Sequence, residues 1–255
     1  MRPTSRRWLL ASAVAVSCLA TGTSATVGQD RLDATFSADG TRQVSFVADG
    51  EDHAYDVAIA SGDRIVVAGA ADGAMSVGRI KVGGGLDGTF SGDGRLLVDL
   101  GGDDIAFAVA RQGERLLLAG VKDDRAAIVR LNANGTLDGS FSGDGKRTQA
   151  VAGHTPLAWT VVADGGAGTV VAAGYAFADG TTQRAIVARY RTDGDLDPTF
   201  SGDGIRFLPG SERFVMDLSP VANGRLLVLV RGSGAGSALV RLRPNGTLDP
   251  GVRWG

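Results

Sequence analysis

The sequence predicts an all-β fold, a β-propeller-like array of four tandem four-stranded repeats that forms four blades or half of a larger ring. Three observations support this prediction. A short motif beginning with Leu-Asp recurs about every 50 to 60 residues, a period typical of repeat architectures. Four short apolar runs follow each full copy. Glycine accounts for 39 of the 255 residues, roughly twice its usual share of about 7%.

The recurring motif marks the repeat boundaries. It reads LDATFSADG from Leu32, LDGTFSGDG from Leu86, LDGSFSGDG from Leu137 and LDPTFSGDG from Leu196, and a shortened copy begins at Leu248. We therefore divide the chain into a leader, residues 1–25, and one repeat domain, residues 26–255. The repeats within that domain cover residues 32–85, 86–136, 137–195 and 196–255.

Each repeat is predicted to contain four strands. The first follows the motif, at residues 43–47, 95–100, 147–151 and 205–208. The second covers residues 55–60, 106–110, 159–163 and 214–218. The third, at 65–68, 116–119, 170–173 and 226–229, is continuously apolar, which suits a strand buried on both faces. The fourth covers 77–82, 128–131, 186–190 and 239–242, and Gly and Asn residues between the runs favour tight turns.

The first 25 residues have the pattern of a cleaved signal peptide. Arg6 and Arg7 precede a short apolar run, residues 8–20, and Thr23-Ser24-Ala25 offers the small residues of a cleavage site. We expect export by general secretion or the twin-arginine route, to the periplasm, the cell surface or the medium. No membrane span is expected after cleavage. An amphipathic first helix and a lipid anchor at Cys18 are the weaker alternatives.

Composition excludes several classes of partner and chemistry. The net charge is only −2 and the 26 basic residues form no stripe, so we expect no nucleic-acid partner. Cys18, the one cysteine, lies in the predicted leader. The exported chain would therefore have no disulfide and no thiol nucleophile.

The motif, followed by an apolar run ending in Ala-Gly and a return through Gly-x-Leu-Asp, resembles the delta-60 repeat. The resemblance covers Leu32 to Asp249. It implies a propeller-like fold and an exported or surface location in bacteria, but no established activity.

The recurring charged residues are interpreted as structural. The acids of each motif, such as Asp87 and Asp93, stand six apart, whereas calcium loops need alternating oxygen ligands, so we expect turn-forming roles and no dependence on calcium. An arginine stands eight residues before four of the Leu-Asp aspartates. A two-residue hairpin loop would place the two side chains on opposite faces, and a three-residue loop with a bulge would place them diagonally on one face. The structural repeat residues are Asp33, Phe36, Arg79, Asp87, Phe90, Arg130, Asp138, Phe141, Arg189, Asp197, Phe200, Arg241 and Asp249.

No catalytic, cofactor or metal site is fixed by the pattern, and no cofactor is expected. His53 and His154 have no acidic partner at a recurring offset, and a zinc site needs more ligands than two. Glu51 and Glu114 stand in loops from which a pair of catalytic carboxylates could come, but the sequence does not select them.

We therefore expect an exported, non-catalytic interaction module that binds a protein or a glycan at the cell surface. The alternatives are a secreted hydrolase or lyase that uses loop carboxylates, and a passive structural repeat. Fold alone does not decide among them. The overlap of the first and last motifs favours a ring closed within one chain, hence a monomer; the alternative is a homodimer of two half-rings.

Overall fold

The computed structural model describes residues 32–250 except 49, 152, 164–167, 179–181, 211–212 and 233–235. The chain divides into a unit Met1–Leu32 and a unit Asp33–Gly255. The predicted leader and its cleavage site lie outside the described residues. Within the described residues no helix has the length and apolar character needed to cross a membrane.

The second unit consists of four antiparallel sheets that follow one another along the chain. Sheet 1 contains β1 (Asp52–Ile59), β2 (Ile65–Ala71), β3 (Ala74–Ile80) and β4 (Arg95–Val98). Sheet 2 contains β5 (Asp104–Gln112), β6 (Arg115–Lys122), β7 (Arg125–Leu131) and β8 (Lys146–Gln149). Sheet 3 contains β9 (His154–Ala163), β10 (Val170–Ala178), β11 (Thr182–Tyr190) and β12 (Ile205–Phe207). Sheet 4 contains β13 (Arg213–Val221), β14 (Arg225–Gly232) and β15 (Ser237–Leu242).

The sheets are offset from the sequence repeats. The strand after each motif joins the sheet that precedes the motif: β4 follows the second motif yet pairs with β3, and β8 and β12 behave alike. The prediction that residues 43–47 form a strand of the first sheet is therefore wrong. These residues form no strand, and sheet 4 has three described strands instead of four.

The core lies between neighbouring sheets. One buried apolar cluster joins sheets 1 and 2, a second joins sheets 2 and 3, and a third joins sheets 3 and 4. Successive side chains of a strand point to opposite faces. In β6, therefore, Leu116 and Leu118 pack towards sheet 1, while Leu117 packs towards sheet 3. This two-sided burial explains why the central strands are continuously apolar.

The first strand of each sheet carries a one-residue bulge. The register shifts at Tyr55 in β1, Phe107 in β5, Trp159 in β9 and Met216 in β13. At the bulge the backbone of the first strand approaches the second strand closely. A Cβ placed on Gly120 would lie 1.8 Å from the carbonyl oxygen of Ile105, so glycine is required there.

The four sheets form an open array. The first strands pack in succession, β1 on β5, β5 on β9 and β9 on β13. In the described part of the chain, no strand of sheet 4 packs extensively on a strand of sheet 1. Among the described residues, therefore, the ring closed within a single chain that we expected from the overlapping motifs is not seen.

Candidate functional site

An arginine–aspartate ion pair recurs in every sheet, is buried in sheets 1 to 3 and partly exposed in sheet 4, and involves eight of the residues singled out from the sequence. The arginine Nε donates to the aspartate Oδ2 at 2.8–2.9 Å in the pairs Arg79–Asp87, Arg130–Asp138, Arg189–Asp197 and Arg241–Asp249. A bridge between Leu131 and Leu137 closes the hairpin that contains Arg130. Inside this bridge the Asn132 amide donates to the Thr136 carbonyl oxygen and Gly135 has a φ of 90°, so the loop consists of residues 133–135, and the arginine lies directly opposite the aspartate on one face. Of the two loops considered from the sequence, the three-residue loop with a bulge is therefore the one that forms, and the two-residue loop is wrong.

The same arginine also joins its sheet to the next one. Nη1 of Arg130 donates to the carbonyl oxygen of Thr192 at 2.8 Å, across the junction between sheets 2 and 3. Arg79 and Arg189 donate in the same way to Ala133 and Pro244. Each of these three arginines therefore stabilises a junction as well as its own hairpin.

The motif phenylalanine lies beneath the arginine. The Arg130 guanidinium carbon is 4.8 Å from the centre of the Phe141 ring, and the pairs Arg79–Phe90 and Arg189–Phe200 are at 4.8 and 4.9 Å. These distances are typical of cation–π contacts. The three rings are fully buried. Phe36 is only half-buried, and its neighbour Asp33 is exposed.

Several donors converge on each buried aspartate. Asp87 accepts hydrogen bonds from Arg79 and from the hydroxyl and backbone amide of Thr89, and it pairs with Arg64 at 2.6 Å. Burial of Asp87 acts to raise its pKa, but the Thr89 hydrogen bonds and the charge of Arg79 outweigh it and lower the pKa to about 2. At Asp138 and Asp197 the hydrogen bonds and the neighbouring arginine charge also outweigh burial, so the pKa values of these two aspartates are lowered as well.

The remaining motif acids form turns. Asp93 Oδ1 accepts the backbone amide of Arg95 at 2.9 Å, and Asp144 and Asp203 accept the equivalent amides. Within the described residues no three His, Cys, Asp or Glu side chains are grouped closely enough to hold a metal ion.

The histidines and loop glutamates lie apart from the ion pairs. His53 stands 3.8 Å from Glu51, a nearly fully exposed side chain, and the His154 ring contacts Phe207. Glu114 lines a cleft of about 300 Å³ between sheets 1 and 2, where its Oε1 accepts the Ser61 hydroxyl at 2.6 Å. Among the described contacts Glu51 meets His53 and Glu114 meets Ser61, so the two glutamates do not form one site there.

Large residues recur at the bulged backbone positions, a feature that we did not predict from the sequence. We call Tyr55, Phe107, Trp159 and Met216 the bulge row, because each occupies the bulged position of its first strand. The Tyr55 and Phe107 rings meet edge to face with centres 5.2 Å apart. Tyr55 is 45% exposed. The signal that could have revealed the row is the Ala-Gly pair opposite three of the bulges, at 68–69, 119–120 and 173–174.

Comparison with known proteins agrees with this geometry. Residues 115–141, 168–200 and 222–251 match the model of a family described as a β-propeller domain of unknown function (DUF5122). Each matched segment covers the second and third strands of a sheet together with its arginine–aspartate pair. No curated protein matches the chain. The four antiparallel sheets and the three matches together identify the chain as an all-β protein built from β-propeller-like repeats.

Proposed function

We propose that this chain is an exported, non-catalytic interaction module of the delta-60 type, and that it binds a partner protein through the bulge row. The observation that carries the proposal is the row itself. It consists of one large apolar or aromatic residue at the bulged backbone position of each of four neighbouring strands, and the Tyr55 side chain is 45% exposed at one end.

The residue types favour a protein ligand. Tyr, Trp, Phe and Met are enriched at protein–protein interfaces relative to the rest of the surface. An aromatic side chain contributes a large contact area while losing little conformational freedom. Tyr55 adds a hydroxyl that can bond a partner's backbone while its ring rests on Phe107.

The buried charges support a binding role over a catalytic one. Arg79, Arg130 and Arg189 each bond an aspartate in their own sheet and a carbonyl in the next sheet. These groups are occupied in holding the array together, and their lowered aspartate pKa values keep the pairs ionised at neutral pH.

A binding screen on peptide and glycan arrays tests the proposal. We expect a peptide hit whose affinity falls at least about tenfold in Tyr55→Ser, because truncating an aromatic anchor commonly costs more than 1 kcal/mol. Leu97→Ser is the matched control, since Leu97 is similarly exposed but lies in β4, away from the row.

The outcomes are distinguishable. An equal loss of peptide affinity in Tyr55→Ser and Leu97→Ser would show that the bulge row is not the binding site. If only glycans bound, the partner would be a glycan instead of a protein. The bulge row would remain the binding site if Tyr55→Ser weakened that glycan binding. Turnover of any bound ligand would refute the non-catalytic role.

A further inference from the structure

The two ends of the array expose the two halves of an interface that the chain builds three times. We call the side of a sheet that faces the following sheet its forward face, and the other side its back face. At the junction between sheets 2 and 3, Leu117 and Ile128 belong to the forward face, and both are at most 1% exposed. The other two junctions are buried to the same degree.

The corresponding side chains at the ends are open. Leu229 and Leu239, on the forward face of sheet 4, are 40% and 49% exposed. On the back face of sheet 1, Val57 is 59% exposed, whereas Val109, its equivalent in sheet 2, is 5% exposed. The forward face of sheet 4 and the back face of sheet 1 are therefore of the two types that pack together at the three junctions within the chain.

Residues 33–47 lie against sheet 1 as the outer part of a preceding sheet would. Three hydrogen bonds of this segment reproduce bonds made one repeat later. They are Ser37 N to Gly83 O (as Ser91 N to Asn134 O), Arg95 Nη1 to Ser45 O (as Lys146 Nζ to Asp99 O), and Phe46 N to Asp52 Oδ2 (as Leu100 N to Asp104 Oδ2). This segment thus occupies the place of an outer strand without belonging to a sheet.

Among the described residues, sheet 4 has no counterpart of the outer strand whose place this segment takes. In sheets 1 to 3 an outer strand pairs with the third strand, but among the described residues β15 has no neighbour on that side. In sheet 1, Ser76 pairs with Leu97, three residues after the motif's final glycine. The same register would pair Ala238 of β15 with Gln43.

We propose that sheet 4 of one copy is completed by residues 41–44 of a second copy, and that two copies close head to tail into a ring of eight sheets. We infer a second copy because residues 33–47 are held on the back of sheet 1, and in the described part of the chain no strand of sheet 4 packs extensively on a strand of sheet 1. The join forms twice, because sheet 4 of each copy meets sheet 1 of the other. The ring therefore closes with two-fold symmetry. It also pairs an open strand edge that would otherwise invite aggregation.

The arginine series ends consistently with this join. The Arg241 side chain is 38% exposed, whereas the Arg130 side chain is 3% exposed. Arg241 lacks, among the described residues, the carbonyl of a following sheet that Arg130 finds at Thr192. In the ring, Arg241 reaches the carbonyl of Val82 in the second copy, the position equivalent to Ala133. It then lies over the half-buried Phe36 of that copy.

A cysteine pair tests the register directly. In the full chain carrying Cys18→Ser, Ala238→Cys is combined with Gln43→Cys and the protein is oxidised at micromolar concentration. Residues paired directly across antiparallel strands lie about 4.5–5.5 Å apart at Cα, within the range for a disulfide. We expect a covalent dimer on a non-reducing gel, with its mass confirmed by mass spectrometry. The matched control, Leu239→Cys with Gln43→Cys, points one cysteine to the opposite face and should stay uncross-linked.

Every other result overturns the proposal. An intramolecular disulfide would show that one chain closes on itself. A ladder of higher multiples would show open head-to-tail growth, and no cross-link would remove the join. Sedimentation of the native chain supplies a second test. Leu239→Arg should raise the dimer dissociation constant at least about 100-fold while Leu97→Arg leaves it unchanged, and a monomer at all concentrations refutes the ring.

Discussion

Replacing Arg130 with methionine tests whether the buried arginine stabilises two sheets at once. Its guanidinium bonds Asp138 at 2.8 Å, the Ser140 hydroxyl at 2.9 Å and the Thr192 carbonyl at 2.8 Å. Methionine retains the apolar stem over Phe141 but removes all three donors. Removing one partner of a buried ion pair costs about 3–5 kcal/mol, because the other charge is left without its partner.

The expected loss lies at the lower end of that range. Asp138 keeps Arg115 at 2.7 Å and the hydrogen bonds of Ser140 after the substitution. We therefore expect Arg130→Met to lower the free energy of unfolding by about 3 kcal/mol. Arg191→Met is the matched control, since Arg191 pairs with Asp195 at the surface and such pairs contribute at most about 1 kcal/mol.

Equilibrium unfolding in urea measures both variants. The midpoint shift and the slope together give the free-energy change, and an unchanged slope shows that the comparison is valid. Our reasoning is refuted if Arg130→Met costs less than about 1 kcal/mol or no more than Arg191→Met.

Three further predictions concern pH, the bulge and calcium. Because the pKa of Asp87 is lowered from 3.8 to about 2, its contribution of about 2 kcal/mol is present above pH 4 and is lost as the pH falls towards 2. The difference in urea stability between the native chain and Asp87→Asn should therefore be large at pH 7 and much reduced at pH 2. Gly120→Ala should cost at least about 2 kcal/mol, because its Cβ would lie 1.8 Å from the Ile105 carbonyl oxygen, whereas Gly83→Ala, with nothing within 4 Å, should be nearly neutral; equal losses in thermal unfolding would contradict the bulge geometry. The melting temperature should not change on adding a chelator, and a fall of several degrees would reveal a calcium site.

The central strands could be predicted because their signal is local. The run 116–119 is continuously apolar, and the structure buries its side chains on both faces of β6. The hairpin at Asn134-Gly135 could also be predicted from the sequence, because Gly135 adopts a φ of 90° that other residues avoid. Alternation, run length and turn residues specify such elements without knowledge of the neighbours.

The position of the sheet boundaries relative to the sequence repeats could not be predicted in the same way. A periodic sequence does not say whether the strand after a motif joins the sheet before the motif or the one after it. The structure decides through the pairing of Arg95 with Gly78 in β3, which places β4 in the earlier sheet. That choice also leaves residues 43–47 outside the sheets and sheet 4 without an outer strand.

Equivalent positions of the four sheets fall into two groups: some carry the same residue in every sheet, and others carry a different residue in each. A hairpin built four times by the same geometry requires the same side chains each time, as the ion pairs from Arg79–Asp87 to Arg241–Asp249 illustrate. The bulge position imposes no such requirement, for it holds Tyr55, Phe107, Trp159 and Met216 on one backbone geometry. Packing alone would accept one residue type at all four bulges. The shared backbone geometry therefore does not dictate the residues that differ among the copies, and Tyr55, whose side chain is 45% exposed, is the bulge residue through which we propose that a partner is recognised.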